Sequence, residues 1–257
     1  MEKIQAGELQ LWQFDALRKE SFIKHFVTDR NSYPRGKEFT LSYSSSPERE
    51  ETRLNRHRLA SAMGIADDHL FFPSQVHLTR IVNVTTGTSK EELMETDALI
   101  TNNAGICIAV MSADCVPILL VDMKNKAVGA VHSGWRGTVA KILTKTLEEM
   151  QLVFGTRGSD VLAAIGPSVS QDSYEVGAEV IDAVGRAFGD RNDLMIPQRP
   201  GKAKLDLWKA NKMQLKDFGV PESQIEISDL CSVKNNNFFF SARKGDSGRF
   251  AAGIMLS

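Results

Sequence analysis

The strongest constraint on this chain is a series of short apolar segments between residues 98 and 132. Ala98–Thr101, Ile106–Met111, Val116–Val121 and Ala127–His132 are too short for ordinary helices, and each is bounded by a break. Asn102 and Gly105 separate the first two, a Ser112-Ala113-Asp114-Cys115 step the next two, and a Lys124-Asn125 turn the last two. The pattern reads as central strands of a sheet. Phe71–Val84, interrupted by Pro73, belongs to the same group. The first forty residues read as short strands and turns, while Glu50–Met63 carries Leu54, Leu59 and Met63 at helical spacing and stops at Gly64.

Beyond the strand series the period changes. From Thr138, the residues Val139, Ile142, Leu143, Thr146 and Leu147 form one apolar stripe, with Lys141, Lys145, Glu148 and Glu149 on the other face. This predicts a helix. Val161–Ile165 reads as a buried strand ending at Gly166-Pro167, Glu175–Phe188 and Leu205–Phe218 as helices, and Phe238–Ala242 and Phe250–Leu256 as strands. No fixed-period repeat or Pro-rich linker divides the chain, and the Ser42–Ser46 run is too short to do so. The expectation is a single α/β domain over residues 1–257, a layered mixed sheet flanked by helices.

Charge narrows the partners. With 31 basic and 32 acidic side chains there is no global basic field to collect nucleic acid or acidic lipid. The first residues, MEKIQAGELQLWQF, lack the order of a secretory signal, and Ile106–Val121 falls short of the roughly 20 clean apolar residues of a membrane span. Three widely spaced cysteines do not make a disulfide framework. The expected setting is therefore cytoplasmic, and the expected species a monomer.

Candidate chemistry lies where the apolar segments break. Of five histidines, His77 and His132 sit at segment ends, as does Cys115, in the contexts Ser-Gln-Val-His (74–77), Ser-Ala-Asp-Cys-Val-Pro (112–117) and Val-His-Ser-Gly-Trp-Arg-Gly (131–137). The 38- and 17-residue separations do not match a zinc finger. Strands of one sheet nevertheless deliver their end residues to a shared edge, where two imidazoles and a thiol suit zinc with a fourth position open. Singly, each has a plain alternative as a packed or hydrogen-bonded core residue. Asp114, an acid between two apolar segments, orients a ligand, moves protons, or hydrogen-bonds a nearby loop. Gly134, Trp135, Arg136 and Gly137 join a strand to a helix. That turn could dock a phosphate or carboxylate, with Arg136 as a positive fork, or serve conformation alone.

Taken in order, these motifs resemble the YfiH-type purine nucleoside phosphorylases, also called laccase-domain or multicopper polyphenol oxidase proteins. The resemblance rests on Thr28–Arg30, Asn55-Arg56, Gln75-Val76-His77, Thr96-Asp97-Ala98, the stretch from Ser112 to Gly137, Ile165-Gly166-Pro167, Tyr174-Glu175-Val176, Cys231, Phe240-Ser241-Ala242-Arg243 and Gly248-Arg249. It implies that His77, Cys115 and His132 are metal ligands, with zinc as the usual occupant and copper the alternative. It also implies phosphorolysis of adenosine, inosine, guanosine and methylthioadenosine, with adenosine deamination as a companion activity. The partners implied are a purine nucleoside and inorganic phosphate, with Arg136 and Arg56 placed to neutralise the phosphate. The chain departs from the family at Ser168 and Asp172, where cysteines are common, at Leu78, where Gly is common, and at Arg243-Lys244, where Arg-Arg is usual.

Three other functions compete. A multicopper oxidase needs more imidazoles than His25, His57, His69, His77 and His132 supply. An amide hydrolase acting on peptidoglycan precursors would use Cys115 as nucleophile and His132 as base. A non-enzymatic module would use zinc only to hold its fold, and would unfold without it.

Overall fold

The computed structural model describes residues 1–34, 37–44, 48–189 and 192–257. Ser45 and Ser46, the end of the Ser42–Ser46 run, lie outside the described residues. Strands β1 (Glu2–Ala6), β2 (Leu9–Gln13) and β3 (Ile23–Val27) come first, then helix α1 (Arg49–Met63). Strands β4 (Leu70–Phe71), β5 (Ile81–Asn83), β6 (Ala98–Thr101), β7 (Cys107–Ser112), β8 (Val116–Asp122) and β9 (Ala127–Ser133) follow. Helices α2 (Trp135–Val139) and α3 (Ile142–Phe154) lead into β10 (Val161–Ile165) and β11 (Glu175–Gly177). The chain closes with α4 (Ala178–Phe188), β12 (Met195–Pro197), β13 (Lys202–Leu205), α5 (Leu207–Asp217), β14 (Ile225–Ile227) and β15 (Phe250–Leu256).

The expected α/β architecture is present, but the central strands divide between two mixed sheets rather than one. One runs β1-β2-β3-β15-β7-β4 and the other β14-β10-β8-β9-β6-β5, both antiparallel inside with parallel pairs at β4–β7, β5–β6 and β10–β14. A small third sheet has the order β11-β13-β12. Alternation along each strand shows how the two large sheets stack. Ile108 and Val110 of β7, Leu119 and Val121 of β8, and Ala252 and Ile254 of β15 meet in one apolar layer between the sheets. Val116, Ile118 and Leu120 of β8 point the other way, onto Leu143 and Leu147 of α3 and Ala210 and Leu215 of α5. Cys107, Ala109, Ala251 and Met255 face Leu59 and Met63 of α1. With both faces covered, the strands carry no polar alternation. Each fully buried Leu or Ile contributes roughly 1.5–3 kcal/mol. Gly253 permits the Phe26 ring to lie against β15, since a side chain there would overlap it.

Val161–Ile165 and Phe250–Leu256 form strands over the expected bounds, and α1 ends at Gly64, whose φ is 75°. Elsewhere local chemistry overrides the pattern. Phe238–Ala242 is not a strand: the amides of Phe238 and Phe239 donate back to Asn235 O, folding the segment into turns that insert Phe239 and Phe240 into the inter-sheet core. The helix expected from Thr138 is interrupted at Lys141, which takes a left-handed φ of 62°. Glu175–Gly177 pairs with β13 before α4 begins, and α5 starts after Asp206, whose carboxylate accepts the Lys209 amide at 2.9 Å. Phe71–Val84 yields two short strands, with the His77 loop between them.

Candidate metal centre

Antiparallel pairing brings the site to one end of the second sheet. β8 starts where β9 ends, and β6 starts beside that end, so Cys115, His132 and Asp97 are neighbours although distant in sequence. The Ser112–Cys115 step carries the chain from one sheet to the other. Its tightness requires Asp114 at φ 91°, and the Ser112 hydroxyl closes the turn by donating to Cys115 O. His77 also has a left-handed φ, 63°, and its loop reaches the same end.

One carboxylate assembles these pieces. Asp97 is fully buried immediately before β6, and its Oδ1 accepts from His132 Nδ1 at 2.8 Å and from the His77 amide at 3.0 Å. Its Oδ2 accepts the Leu78 and Val76 amides at 2.8 and 3.2 Å. With Nδ1 donating to the acid, His132 presents Nε2 to the cluster. The His77 and His132 rings stand edge to face, 4.9 Å apart. Gly134 completes the packing, because a Cβ there would lie 2.8 Å from Cys115 Sγ and 3.1 Å from His77 Cδ2.

The potential ligand atoms of His77, Cys115 and His132 all lie within 4.8 Å of one another. Bonds of the length zinc makes to nitrogen and sulfur would put tetrahedral donors about 3.3–3.8 Å apart, so the cluster closes around one ion with small side-chain movement. His132 is buried, Cys115 half-buried and His77 exposed, leaving a solvent-facing side for a fourth position. Burial alone would push the Cys115 thiol up, but the His132 and His77 rings more than offset it and hold the thiol below its ordinary range. Burial likewise opposes charge on His132, which Cys115 and Asp97 nevertheless raise above the usual imidazole value. Asp97 is lowered: burial pushes it up, and the ring and amide donors outweigh that. The donor set fits a thiophilic divalent cation.

The other candidate residues divide. Asp114 accepts Ser232 Oγ at 2.6 Å and the Arg243 amide at 2.9 Å, the loop-binding alternative considered for it; the acid hydrogen-bonded to a cluster imidazole is Asp97. Arg136 is exposed, its guanidinium 4.3 Å from the Trp135 ring centre. The helix at its turn has only five residues, so the anion chemistry there rests on Arg136 and not on a helix end. Arg56 is engaged elsewhere: Nε and Nη2 donate to Leu41 O, its faces pack on Tyr43 and Phe72, and burial lowers its pKa to about 10. Ser168 is buried and accepts from Trp208 Nε1, whereas exposed Asp172 pairs with Lys234. Neither departure touches the cluster. Sequence reasoning alone assigns Asp97 no role beyond its place in a motif. The signal was there, since the rule applied to Asp114, an acid abutting an apolar strand, applies equally to Asp97.

Fold and site together define an α/β protein with a surface-open His-Cys-His centre suited to a single cation. The chain belongs to the multi-copper polyphenol oxidoreductase laccase family, whose profile matches residues 24–257. It is 40% identical over 256 residues to a purine nucleoside phosphorylase of Bacteroides thetaiotaomicron, covering 95% of both chains. It is also 40% identical over 206 residues to an adenosine deaminase of an unknown prokaryotic organism, covering 76% of this chain and 78% of that one. The crystal structure of YlmD from Geobacillus stearothermophilus matches with a TM-score of 0.88 at 28% identity, over 98% of this chain and 97% of the other.

Proposed function

We propose that this protein is a metal-dependent purine nucleoside enzyme. It catalyses phosphorolysis of adenosine, inosine, guanosine and methylthioadenosine to base and the corresponding ribose 1-phosphate, with adenosine deamination as a side activity. The observation that carries the reading is the convergence of His77, Cys115 and His132 in a chain so similar to a purine nucleoside phosphorylase. His77, Cys115 and His132 would hold zinc, or copper as the alternative, which would supply a Lewis acid and a fixed positive charge.

The chain's own residues supply order and charge. Asp97 fixes His132 in one tautomer and holds the His77 loop, so both imidazoles are preorganised before substrate arrives. Asp114 ties the Cys115 turn to the segment carrying Arg243. Gly134 lets its backbone lie close against the thiol, and Arg136 offers a guanidinium to the phosphate dianion. Val76 and Leu78, both exposed, flank His77 with apolar surface for a purine ring. We take residues 1–257 as one catalytic domain, monomeric and in a reducing, cytoplasmic setting, in keeping with the three free cysteines. No helix among the described residues is long and apolar enough to cross a membrane.

Chromatography of adenosine or inosine incubated with and without phosphate tests the reading. Free base and ribose 1-phosphate appear only with phosphate, and Cys115→Ala and His77→Ala abolish them. A protein that turns over no purine nucleoside under any metal condition is not this enzyme. A second reading has one observation in its favour: Asp97, His132 and Cys115 also form an orienter, base and nucleophile line, as an amide hydrolase requires. Stoichiometric metal in the protein as isolated would withdraw Cys115 from that duty. A metal-free thiol that alkylates rapidly would support the hydrolase.

A further inference from the structure

Two exposed arginines are tied through their backbones to the Cys115 turn. Arg243 is tied to it through its own backbone, because its amide donates to Asp114 Oδ2 at 2.9 Å, one residue before Cys115. Arg136 is tied through Gly134, two residues earlier, where an added Cβ would lie 2.8 Å from Cys115 Sγ. Each guanidinium is braced on an aromatic face: Arg243 lies 4.6 Å from the Tyr174 ring centre and Arg136 4.3 Å from that of Trp135. Arg243 Nη2 also donates to Glu175 O at 2.9 Å, which fixes the direction of its fork. Among the described residues the one carboxylate within ion-pair distance of either guanidinium is Glu179, at 4.0 Å from Arg136. Both positive charges are thus placed but hardly neutralised.

Both side chains reach the same short segment: Arg243 Nη2 donates to Glu175 O, and Arg136 lies 4.0 Å from Glu179, the second residue of α4. We propose that Arg136 and Arg243, braced on Trp135 and Tyr174, form a two-armed clamp that holds the phosphate dianion beside Cys115. This rests on the phosphorylase reading and adds Arg243 and Tyr174 to it. A dianion held by two forks loses one pair of charge-assisted hydrogen bonds when either arm is removed.

The test is isothermal titration of inorganic phosphate into the metal-loaded protein, with phosphorolysis assayed on the same preparations. Arg243→Ala and Arg136→Ala each weaken phosphate binding about ten- to a hundredfold. Arg243→Lys, which keeps charge but not the fork, recovers only part. Arg199→Ala, whose side chain pairs with Glu175 Oε1, leaves binding unchanged. Both clamp arginines are exposed, and unaltered melting temperatures in the variants separate lost binding from lost fold. Phosphate-dependent turnover by the parent protein, with affinity unchanged in both alanine variants, overturns the clamp and leaves the phosphorylase reading intact. Phosphate that binds through the two arginines while nucleoside cleavage proceeds without it supports the clamp and overturns the phosphorylase reading. A parent protein that binds no phosphate overturns both.

Discussion

Replacing Asp97 by Asn is the sharpest perturbation the structure offers, because one carboxylate serves four donors. Oδ1 accepts the His132 ring and the His77 amide, and Oδ2 accepts the Leu78 and Val76 amides. Asparagine has a single acceptor oxygen. If its NH2 group takes the Oδ1 place, it opposes the His77 N–H, and His132 can accept from it only by moving its own proton to Nε2. That is the nitrogen the cation needs. If NH2 takes the Oδ2 place, the tautomer survives, but the Val76 and Leu78 amides lose their acceptor and the His77 loop is released. Two bonds at roughly 1.5–3 kcal/mol each set an upper limit of about 3–6 kcal/mol. Val76 and Leu78 are exposed, so water replaces part of the loss, and about 2 kcal/mol of stability is the expected cost. Metal affinity falls about ten- to a hundredfold, as when an acid behind a ligand histidine is removed. Chelator competition measures the affinity, and urea unfolding of metal-free protein measures the stability. Asp122→Asn is the matched control: Asp122 caps the turn at the far end of β8 by accepting from Lys124, Asn125 and the Asn125 side chain, with no histidine. It should lower stability without changing metal affinity. Equal metal affinity in Asp97→Asn and the parent protein would refute the positioning role.

Four further outcomes follow from the same geometry. Gly134→Ala puts a methyl 2.8 Å from Cys115 Sγ, so it should displace the thiol and weaken metal binding about tenfold or more; an unchanged affinity by chelator competition would show that the turn yields freely. Metal removal should leave a cooperatively unfolding protein, because the cores on both sides of each sheet contain no ligand residue; loss of far-ultraviolet dichroism on dialysis against chelator would instead favour the structural-zinc module. Metal analysis should find one equivalent per chain, reduced in Cys115→Ala and His77→Ala, and two or more equivalents retained in those variants would contradict the site. Burial lowers His25 from 6.5 to about 4 while its Nε2 accepts the Phe14 amide at 2.8 Å. The unfolded chain then binds the extra proton, so up to about 3 kcal/mol present above pH 6.5 is lost as pH falls toward 4. Urea midpoints across that interval should flatten in His25→Gln, and an identical slope would remove His25 as the cause.

The sequence carried the strands and the site better than it carried their assembly. Val161–Ile165 and Phe250–Leu256 were readable to the residue because short apolar runs bounded by turns have few alternatives. His77, Cys115 and His132 were readable for a related reason, since polar residues at the ends of such runs must collect at sheet edges. The split into two sheets was not readable. It depends on β15, near residue 250, inserting between β3 and β7, a pairing of distant segments that no local pattern encodes. The Phe238–Ala242 error has the same origin, because an aromatic run looks like a strand whether its backbone bonds go to a neighbouring strand or back to Asn235. Lys141 in a left-handed conformation was equally invisible, as the apolar stripe continues through the break.

The family's multicopper label and this chain's ligand supply point in different directions, and the placement of the histidines decides between them. A multicopper oxidase gathers many imidazoles around several ions. Here the three histidines outside the cluster are dispersed and engaged. His25 is buried in β3 with Nε2 accepting the Phe14 amide, His57 on α1 pairs with Asp67, and His69 contacts Gly105 O. Among the described residues, His77, Cys115 and His132 are the one His-Cys group compact enough for an ion. A single centre cannot pool four electrons from four coppers, so reduction of oxygen to water in the laccase manner lies outside what this arrangement supports. It can hold one cation beside imidazoles that Asp97 positions. A single Lewis-acid centre suits polar bond cleavage, the chemistry on which the purine nucleoside proposal rests.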